Sequence, residues 1–486
     1  MNARLQWNLW WLVACTVCVG CQPASPTSTV EIPVRSNTPP VALRLLVVDD
    51  PPLAATIESE YNARAIGGVN VGQTSSAKLL ARLRKNKSCD ADAIIYPAWL
   101  LGELVEKDVI VALPDHVLED PQINLPDWFS VLRLRGTTWG SRTYALSFGS
   151  PSLVLFYRKD ILEQAGLEPP RTWDEYQSLI EQLRTAAHDN PAGVADSQWV
   201  ASAEPLGPGW ACQVLMARAA PMAKHPNNYS TFFHYKTMEP LINSEPFVLA
   251  LKQLAAAARV GPATAVELTP HDVRRMLLKG QCAIGLTWPV ARQLEAGDAG
   301  QLQYSEISFA ELPGSTTVFH RQDQQWQERD APESFRVPLL GVAGRLISVT
   351  VESGRSAASF RLAGRLTGQE LGTILAPASQ ATGPFRQSQL PARAWFPPGV
   401  TPDQLRQYTE ILQTRESRKS WLTSLRIPGR ERYMAELDRA VYRVLQGEME
   451  AQQALDATAA AWRKITEKLG TDQQAEAYRH SLGLGF

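Results

Sequence analysis

This 486-residue chain has almost no net charge, few cysteines and no recognisable catalytic motif. Its 48 Lys and Arg residues and 49 Asp and Glu residues leave a formal net charge of -1. Nucleic-acid binding needs an excess of clustered positive charge, so this composition argues against it. Only Cys89, Cys212 and Cys282 lie beyond residue 21. This odd number allows at most one disulfide, and we expect all three to be small buried residues.

Motifs of catalysis and metal binding are absent from the sequence. It contains no GxSxG, Walker A, HExxH or EF-hand pattern. Its seven histidines are isolated, and none has metal-ligand spacing to another His or Cys. We therefore predict no metal, no cofactor and no catalytic residue. A carbohydrate hydrolase stays open as an alternative, because paired carboxylates are common in a chain of this length.

The N-terminus has the features of a secretion signal. Leu9 to Gly20 is apolar and uncharged, but about half the length of a membrane-spanning helix. We interpret residues 1–20 as a signal peptide. The Gly20-Cys21 pair resembles the lipobox of bacterial lipoproteins, so Cys21 is the predicted lipidation site. The pattern departs at Cys18, where Leu is usual, which leaves an uncleaved or conventionally cleaved signal as the alternative. The polar residues 21–40 then form a disordered tether.

Strands and helices alternate through most of the chain. Short buried strands are predicted at Val41–Val48, Asp92–Tyr96, Leu153–Tyr157 and Cys282–Thr287, each near a helical stretch. This order is typical of an α/β fold with a largely parallel sheet covered on both faces.

The last third of the chain follows other patterns. His320–Glu333 is polar and lacks a period, so we predict a surface hairpin or an inserted loop. Gln404–Leu469 is expected to be helical, and its apolar stripe around Leu437 and Val441 is expected to belong to the core.

Several segments carry a family resemblance. Pro151–Tyr176 (PSLVLFYRKDILEQAGLEPPRTWDEY) resembles a pattern of family 1 of the extracellular solute-binding proteins: a strand, Tyr-x-Lys-Asp, a short helix, and Pro-Pro-x-Thr-Trp-Asp-Glu. Asp272–Trp288 (DVRRMLLKGQCAIGLTW) is similar to that family's helix, strand and following Trp. Further similar segments are Cys89–Asp115, Val337–Leu366, Gly383–Arg386 and Val444–Ala461.

The resemblance implies an α/β fold of the periplasmic-binding-protein type II. In this fold two discontinuous lobes are joined by crossing strands, and the ligand lies in the cleft between them. We place the first lobe at residues 41–147 plus 305–368 and the second lobe at residues 148–304 plus 369–486.

Four tryptophans are candidates for the ligand site. A sugar presents a flat face of C–H bonds, which an aromatic ring can cover. Ligand groups in open α/β sheets project from the carboxyl ends of strands, and Trp99 and Trp288 each follow a predicted strand. Trp210 follows a Gly/Pro loop and Trp395 lies between prolines, and for both a core position is the alternative.

Three further residues complete the candidate set. Asp50 ends the first strand at the rim of the cleft, where its carboxylate can accept from a sugar hydroxyl or lie in a solvated turn. Phe148 lies at the predicted crossing between lobes, where it can touch the ligand or act as a hinge. Arg386 can pair with a ligand oxygen or with a carboxylate across the cleft.

The function implied by the resemblance is solute capture for an ABC-type importer. The predicted partners are a small solute, which the resemblance implies is a mono- or oligosaccharide, the importer's membrane subunits, and a membrane reached through the lipid on Cys21. We expect a monomer outside the cytoplasm that catalyses no reaction. A sugar sensor on the same fold is the other alternative that the sequence leaves open.

Cys21→Ser is predicted to abolish acylation and release the protein from the membrane, because the thiol is the acceptor of the lipid. Metabolic labelling with a palmitate analogue and fractionation would test this, with Cys18→Ser as the matched control. Continued labelling of the Cys21→Ser protein would disprove the anchor.

Overall fold

A computed structural model describes residues 42–64, 68–86, 88–186, 199–291 and 305–484. The predicted signal peptide at 1–20, the lipidation site Cys21 and the tether at 21–40 lie outside the described residues. Of the helices that are described, none has both the length and the hydropathy needed to cross a membrane.

The secondary-structure elements are numbered in chain order. The strands are β1 Leu43–Val48, β2 Val69–Thr74, β3 Ala93–Pro97, β4 Thr138–Trp139, β5 Arg142–Thr143, β6 Leu146–Ser147, β7 Val154–Arg158, β8 Val200–Ala203, β9 Cys282–Thr287, β10 Ile307–Glu311, β11 Thr317–His320, β12 Gln325–Glu328, β13 Leu339–Leu340, β14 Arg345–Val349 and β15 Leu422–Thr423. The helices are α1 Pro51–Ala63, α2 Ser76–Asn86, α3 Leu101–Glu106, α4 Asp115–Leu118, α5 Lys159–Ala165, α6 Trp173–Ala186, α7 Ala211–Ala223, α8 Glu245–Ala258, α9 Pro270–Leu278, α10 Ser356–Thr367, α11 Gln369–Leu375, α12 Pro402–Glu416, α13 Arg430–Leu445, α14 Ala451–Leu469 and α15 Thr471–Ser481.

A five-stranded sheet organises the first lobe. Its order is β2-β1-β3-β14-β6, with β1 parallel to both β2 and β3 and with β14 antiparallel to β3 and β6. Helices α1, α10 and α11 pack over one face, and their apolar side chains form one core with those of β1 and β3. The buried strands explain the continuous apolar runs of the sequence.

A four-stranded sheet organises the second lobe. Its order is β10-β7-β9-β8, with β8 parallel to β9 and with β7 antiparallel to both β9 and β10. Helices α7, α8, α13 and α14 pack together in the largest core, and α12 covers β10. The predicted stripe belongs to this core, since Leu437 and Val441 are fully buried.

Side-chain caps set the starts of helices in both lobes. Pro51 and Pro52 follow β1 and form the first turn of α1. Proline suits the first turn, where an amide hydrogen would have no partner within the helix. The Asp50 carboxylate accepts from the Leu53 amide at 3.2 Å. At α6 the cap is Thr172, whose Oγ1 accepts from the amide of Glu175.

The chain passes between the two sheets at three places within the described residues. These crossings are residues 148–153 between β6 and β7, residues 341–344 between β13 and β14, and residues 379–401 between the first-lobe helix α11 and the second-lobe helix α12. Two crossings touch through backbone: a Cβ added at Gly149 would lie 1.8 Å from the carbonyl oxygen of Gly383. Gly149 also has a φ of +95°.

Two segments belong to a different lobe from the one that the sequence predicted, as their contacts with the sheets and helices show. Residues 305–340 were expected in the first lobe, but β10 hydrogen-bonds to β7 of the second sheet. Residues 369–378 were expected in the second lobe, but α11 packs on α1 and α10. Contacts between elements decide both lobe assignments, and hydrophobic periodicity carries no information on such contacts.

Two local predictions are settled by the structure. The polar segment at 320–333 includes the turn and second strand of a hairpin, in which β11 pairs antiparallel with β12. Cys89, Cys212 and Cys282 are buried free thiols, and burial raises the pKa of Cys89 to about 11.

Gly149→Ala is predicted to lower the free energy of unfolding by about 2–5 kcal/mol, from left-handed strain plus the clash with the Gly383 carbonyl. Gly166→Ala is the matched control, since its φ is +68° but a Cβ there meets nothing within 4 Å. Urea denaturation measures both variants. Equal losses would show that the contact between the crossings is unimportant.

Candidate functional site

The carboxyl ends of strands from both sheets face the junction between the lobes. In the first lobe β3 ends at Pro97 and leads into a 3₁₀ turn that carries Trp99. In the second lobe β9 ends at Thr287, directly before Trp288. Ligands of open α/β sheets bind at such strand ends.

Trp99 meets a cation from the opposite lobe. Its ring is half-buried, and the guanidinium carbon of Arg430 lies 5.1 Å from the ring centre. Arg430 is the first residue of α13, and its Nε donates to the Leu425 carbonyl at 2.9 Å. Burial lowers the pKa of Arg430, while Cys212 and Asp438 nearby raise it. The contact is a cation–π pair between the lobes.

Trp210 and Trp288 form a pair on the second lobe, with ring centres 5.6 Å apart. Trp210 is half-buried, whereas only 4% of Trp288 is exposed. Trp288 Nε1 donates to the carbonyl of Gln380 at 2.9 Å, in the loop that follows the last first-lobe helix. Trp288 belongs to the core of the second lobe, and this bond links it to the crossing at residues 379–401.

The amino end of α7, beside Trp210, already has an anionic partner. The Asp438 carboxylate on α13 accepts from the amides of Gly209 and Cys212, both at 2.7 Å. A helix amino end attracts anions through its free amides and its dipole. Here the chain's own carboxylate occupies that position, so it is not open to a solute.

Polar contacts from α3 also join the lobes. Glu103 accepts from the Gly429 amide at 2.9 Å. Glu106 accepts from Trp139 Nε1 at 2.6 Å, and one of its oxygens lies 2.9 Å from Nδ1 of His480 on α15. These contacts tie the first lobe to the carboxyl-terminal helices of the second lobe.

A cavity lies between the lobes, next to the first two crossings. It is lined by Ala98, Trp99, Leu132, Gly136, Ser147, Gly149, Ser150, Leu340, Gly341, Leu346, Thr423, Ser424, Leu425 and Arg426. Its volume is about 20 Å³, which accommodates about one water molecule. The lobes are thus closed on each other, and a sugar-sized solute could enter only after they separate.

The remaining four candidates lie inside the first lobe. Phe148 and Trp395 are 0% and 1% exposed and belong to its hydrophobic core. Asp50 is 5% exposed, and Arg386 is 0% exposed. Residues packed this tightly offer no surface to a solute in this conformation.

The chain itself occupies the polar groups of Asp50 and Arg386. Asp50 pairs with Arg345 at 2.8 Å and accepts from the Ser379 hydroxyl. Arg386 pairs with the Asp127 carboxylate at 3.3 Å and donates to two backbone carbonyls. Asp50 is thus a buried cap of α1 rather than part of a solvated turn, and Arg386 pairs with a carboxylate of the first lobe rather than with one across the cleft.

Sequence reasoning missed the cations of the junction. Arg426 and Arg430 flank Pro428-Gly429, a turn signal inside a tail that was expected to be all helical. That dipeptide could have marked a loop before α13. Nothing in the local pattern shows that this loop meets Trp99, because the contact joins residues more than 300 positions apart. Within the described ranges, no group of three or more His, Cys, Asp or Glu residues is placed to hold a metal ion.

The profile of the bacterial extracellular solute-binding proteins matches residues 62–318, more than half of the chain. The chain belongs to this family. A curated relative, an uncharacterised ABC-transporter extracellular-binding protein of Pyrococcus horikoshii, is 24% identical over 184 residues. The match covers 36% of this chain and spans 42% of that relative's length.

Solved structures share the two-lobed α/β fold. A solute-binding protein of Agrobacterium radiobacter K84 in complex with ribitol aligns with a TM-score of 0.65 at 18% identity, covering 88% of this chain and 99% of that one. Maltose-bound MalE3 of T. maritima aligns at 0.63 and 15% identity, over 87% and 100% of the two chains. A D-mannitol-bound protein of Agrobacterium vitis S4 aligns at 0.63 and 14% identity, over 88% and 99%. The predicted two-lobed α/β fold is confirmed, but its two sheets are mixed rather than largely parallel.

Trp288→Phe keeps a ring at the junction but removes the donor to Gln380. We expect the ligand-free protein to shift toward an open form by about fivefold, the effect of losing about 1 kcal/mol. Small-angle scattering would then give a larger radius of gyration. Trp462→Phe is the control, since its Nε1 donates to Tyr433 within the second lobe. An unchanged radius for Trp288→Phe would contradict this role.

Proposed function

We propose that this protein captures a small sugar or polyol outside the cytoplasm and delivers it to the membrane subunits of an ABC-type importer. The observation that carries the proposal is the position of Trp99, a half-buried ring at the carboxyl end of β3 beside the interlobe cavity. Such a ring can stack on the C–H face of a sugar. Sugars and polyols bound by structural relatives add support.

Solute capture in this proposal depends on contact with both lobes. A solute that touched one lobe only would have no preference for the closed form and would shift no equilibrium. Trp99 supplies the first-lobe wall of the site, and the pair Trp210 and Trp288 supplies the second-lobe wall once the lobes part. Closure around the solute is then the state that the importer recognises.

Membrane attachment completes the proposal. A lipid on Cys21 and the tether at 21–40 would keep a monomeric binding domain close to the membrane subunits. This raises its effective concentration at the importer without adding any contact.

The function is tested by calorimetry and small-angle scattering with a panel of pentitols, hexitols, monosaccharides and maltose. At least one member should bind, be recovered intact and reduce the radius of gyration at saturation. Failure of every member of this panel, and of the acidic sugars used to test the charge of the solute, to bind would reject the proposed function. Conversion of a bound sugar would favour the hydrolase.

Trp99→Ala should weaken binding of that solute by about 1–3 kcal/mol, which is up to about a hundredfold, because a stacking surface is lost. Its stability should change little, since the ring is only half-buried. Trp395→Ala is the matched control in the first-lobe core, and it should lose stability while keeping its affinity. Normal affinity in Trp99→Ala would remove this residue from the site.

A further inference from the structure

Arg426 lines the interlobe cavity and is 6% exposed. It lies between β15 and α13 in the second lobe, and its side chain reaches the first lobe. Nη1 donates to the Gly136 carbonyl at 3.2 Å, and the guanidinium carbon lies 5.5 Å from the centre of the Trp139 ring. These contacts fix its position, but they supply no opposite charge.

The charge of Arg426 has no counter-ion among the residues that the structure describes, since no Asp or Glu oxygen there lies within 4.0 Å. Its buried Nε also lacks a hydrogen-bond partner within those residues. Burial lowers the pKa of Arg426 to about 10, so it remains a cation at neutral pH. A buried cation without a partner is unfavourable, because it has lost its hydration.

The cavity wall offers no negative charge. Its lining includes a guanidinium and four hydroxyls but no carboxylate. Arg430 adds a second cation beside Trp99. The nearby carboxylates of Glu103 and Asp438 are engaged by backbone amides of the second lobe. Arg426 is therefore the one charged side chain among the described residues that line this cavity.

We propose that the solute is an acidic sugar or polyol derivative, whose carboxylate or phosphate pairs with Arg426 while its ring or carbon chain lies against Trp99. The guanidinium is a planar donor that matches both kinds of anion, and such charge-assisted hydrogen bonds are the stronger ones. The inference rests on the proposed function and adds the charge of the solute to it.

Matched pairs of solutes test the charge directly. Calorimetry at low salt would compare D-glucose with D-glucuronate and D-galactose with D-galacturonate, with D-glucose 6-phosphate and D-galactose 6-phosphate as the phosphate arm. At least one acid should bind about tenfold or more tighter than its neutral counterpart. Preference for a carboxylate or for a phosphate supports the proposal equally and identifies the anion.

Variants of the arginine test the contact. Arg426→Gln should remove the preference for the acid, and Arg426→Lys should weaken binding but keep the preference. Arg135→Gln is the control, because it removes a charge near Arg426 at an exposed position. It should keep the preference. An equal loss in Arg135→Gln and Arg426→Gln would overturn direct pairing.

The outcomes separate the two proposals. If neutral sugars bind and no acid binds tighter, the inference about charge is wrong while the proposed function stands. If neither acids nor neutral sugars bind, both are wrong. Should Arg426→Gln fail to fold, the ratio of acid to neutral affinity in the unaltered protein and in Arg426→Lys decides the matter.

Discussion

The close backbone contact between Gly149 and Gly383 sits where the chain passes between its two lobes, and the rest of the molecule is arranged around it. A side chain at Gly149 would overlap the carbonyl of Gly383, so the two crossings can lie together only because residue 149 is glycine. Three crossings allow the lobes to rotate relative to each other but prevent them from drifting apart. The cavity lies beside this junction, where a small rotation changes its size most directly.

The acidic side chains near the junction between the lobes bond to other groups of the protein, whereas one arginine at the cavity wall lacks an acidic partner among the described residues. The carboxylates of Glu103 and Asp438 accept hydrogen bonds from backbone amides, and Asp50 forms an ion pair with Arg345. Arg426 has no such carboxylate partner among the described residues. Acidic groups here bond to the chain itself, whereas Arg426 at the cavity wall has only carbonyl and ring contacts among the described residues. A fold shared with sugar-binding relatives does not by itself fix what a cleft binds, because the side chains of the cleft decide it.

Fold and element positions could largely be read from the sequence. Buried strands appear as apolar runs such as Cys282–Thr287, whose predicted bounds are those of β9. Capping residues such as Thr172 mark helix starts, because their side chains bond amides only three residues away. These are local effects, and a local pattern records them. Which segments belong to which lobe was harder to predict, since the pairing of β10 with β7 joins segments about 150 residues apart.

The sequence by itself determined the alternation of strands and helices, and with it the α/β class and the placement of Trp99 and Trp288 at strand ends. Only the tertiary structure decided which candidates face the cleft. Asp50 and Arg386 looked equally suited to a ligand, but the first caps α1 and the second is enclosed by the first lobe. Whether a polar side chain meets a solute or its own chain depends on partners hundreds of residues away. Arg426 lines the cavity for the same reason, because packing of the two lobes brings its loop against Gly136, which is distant in sequence.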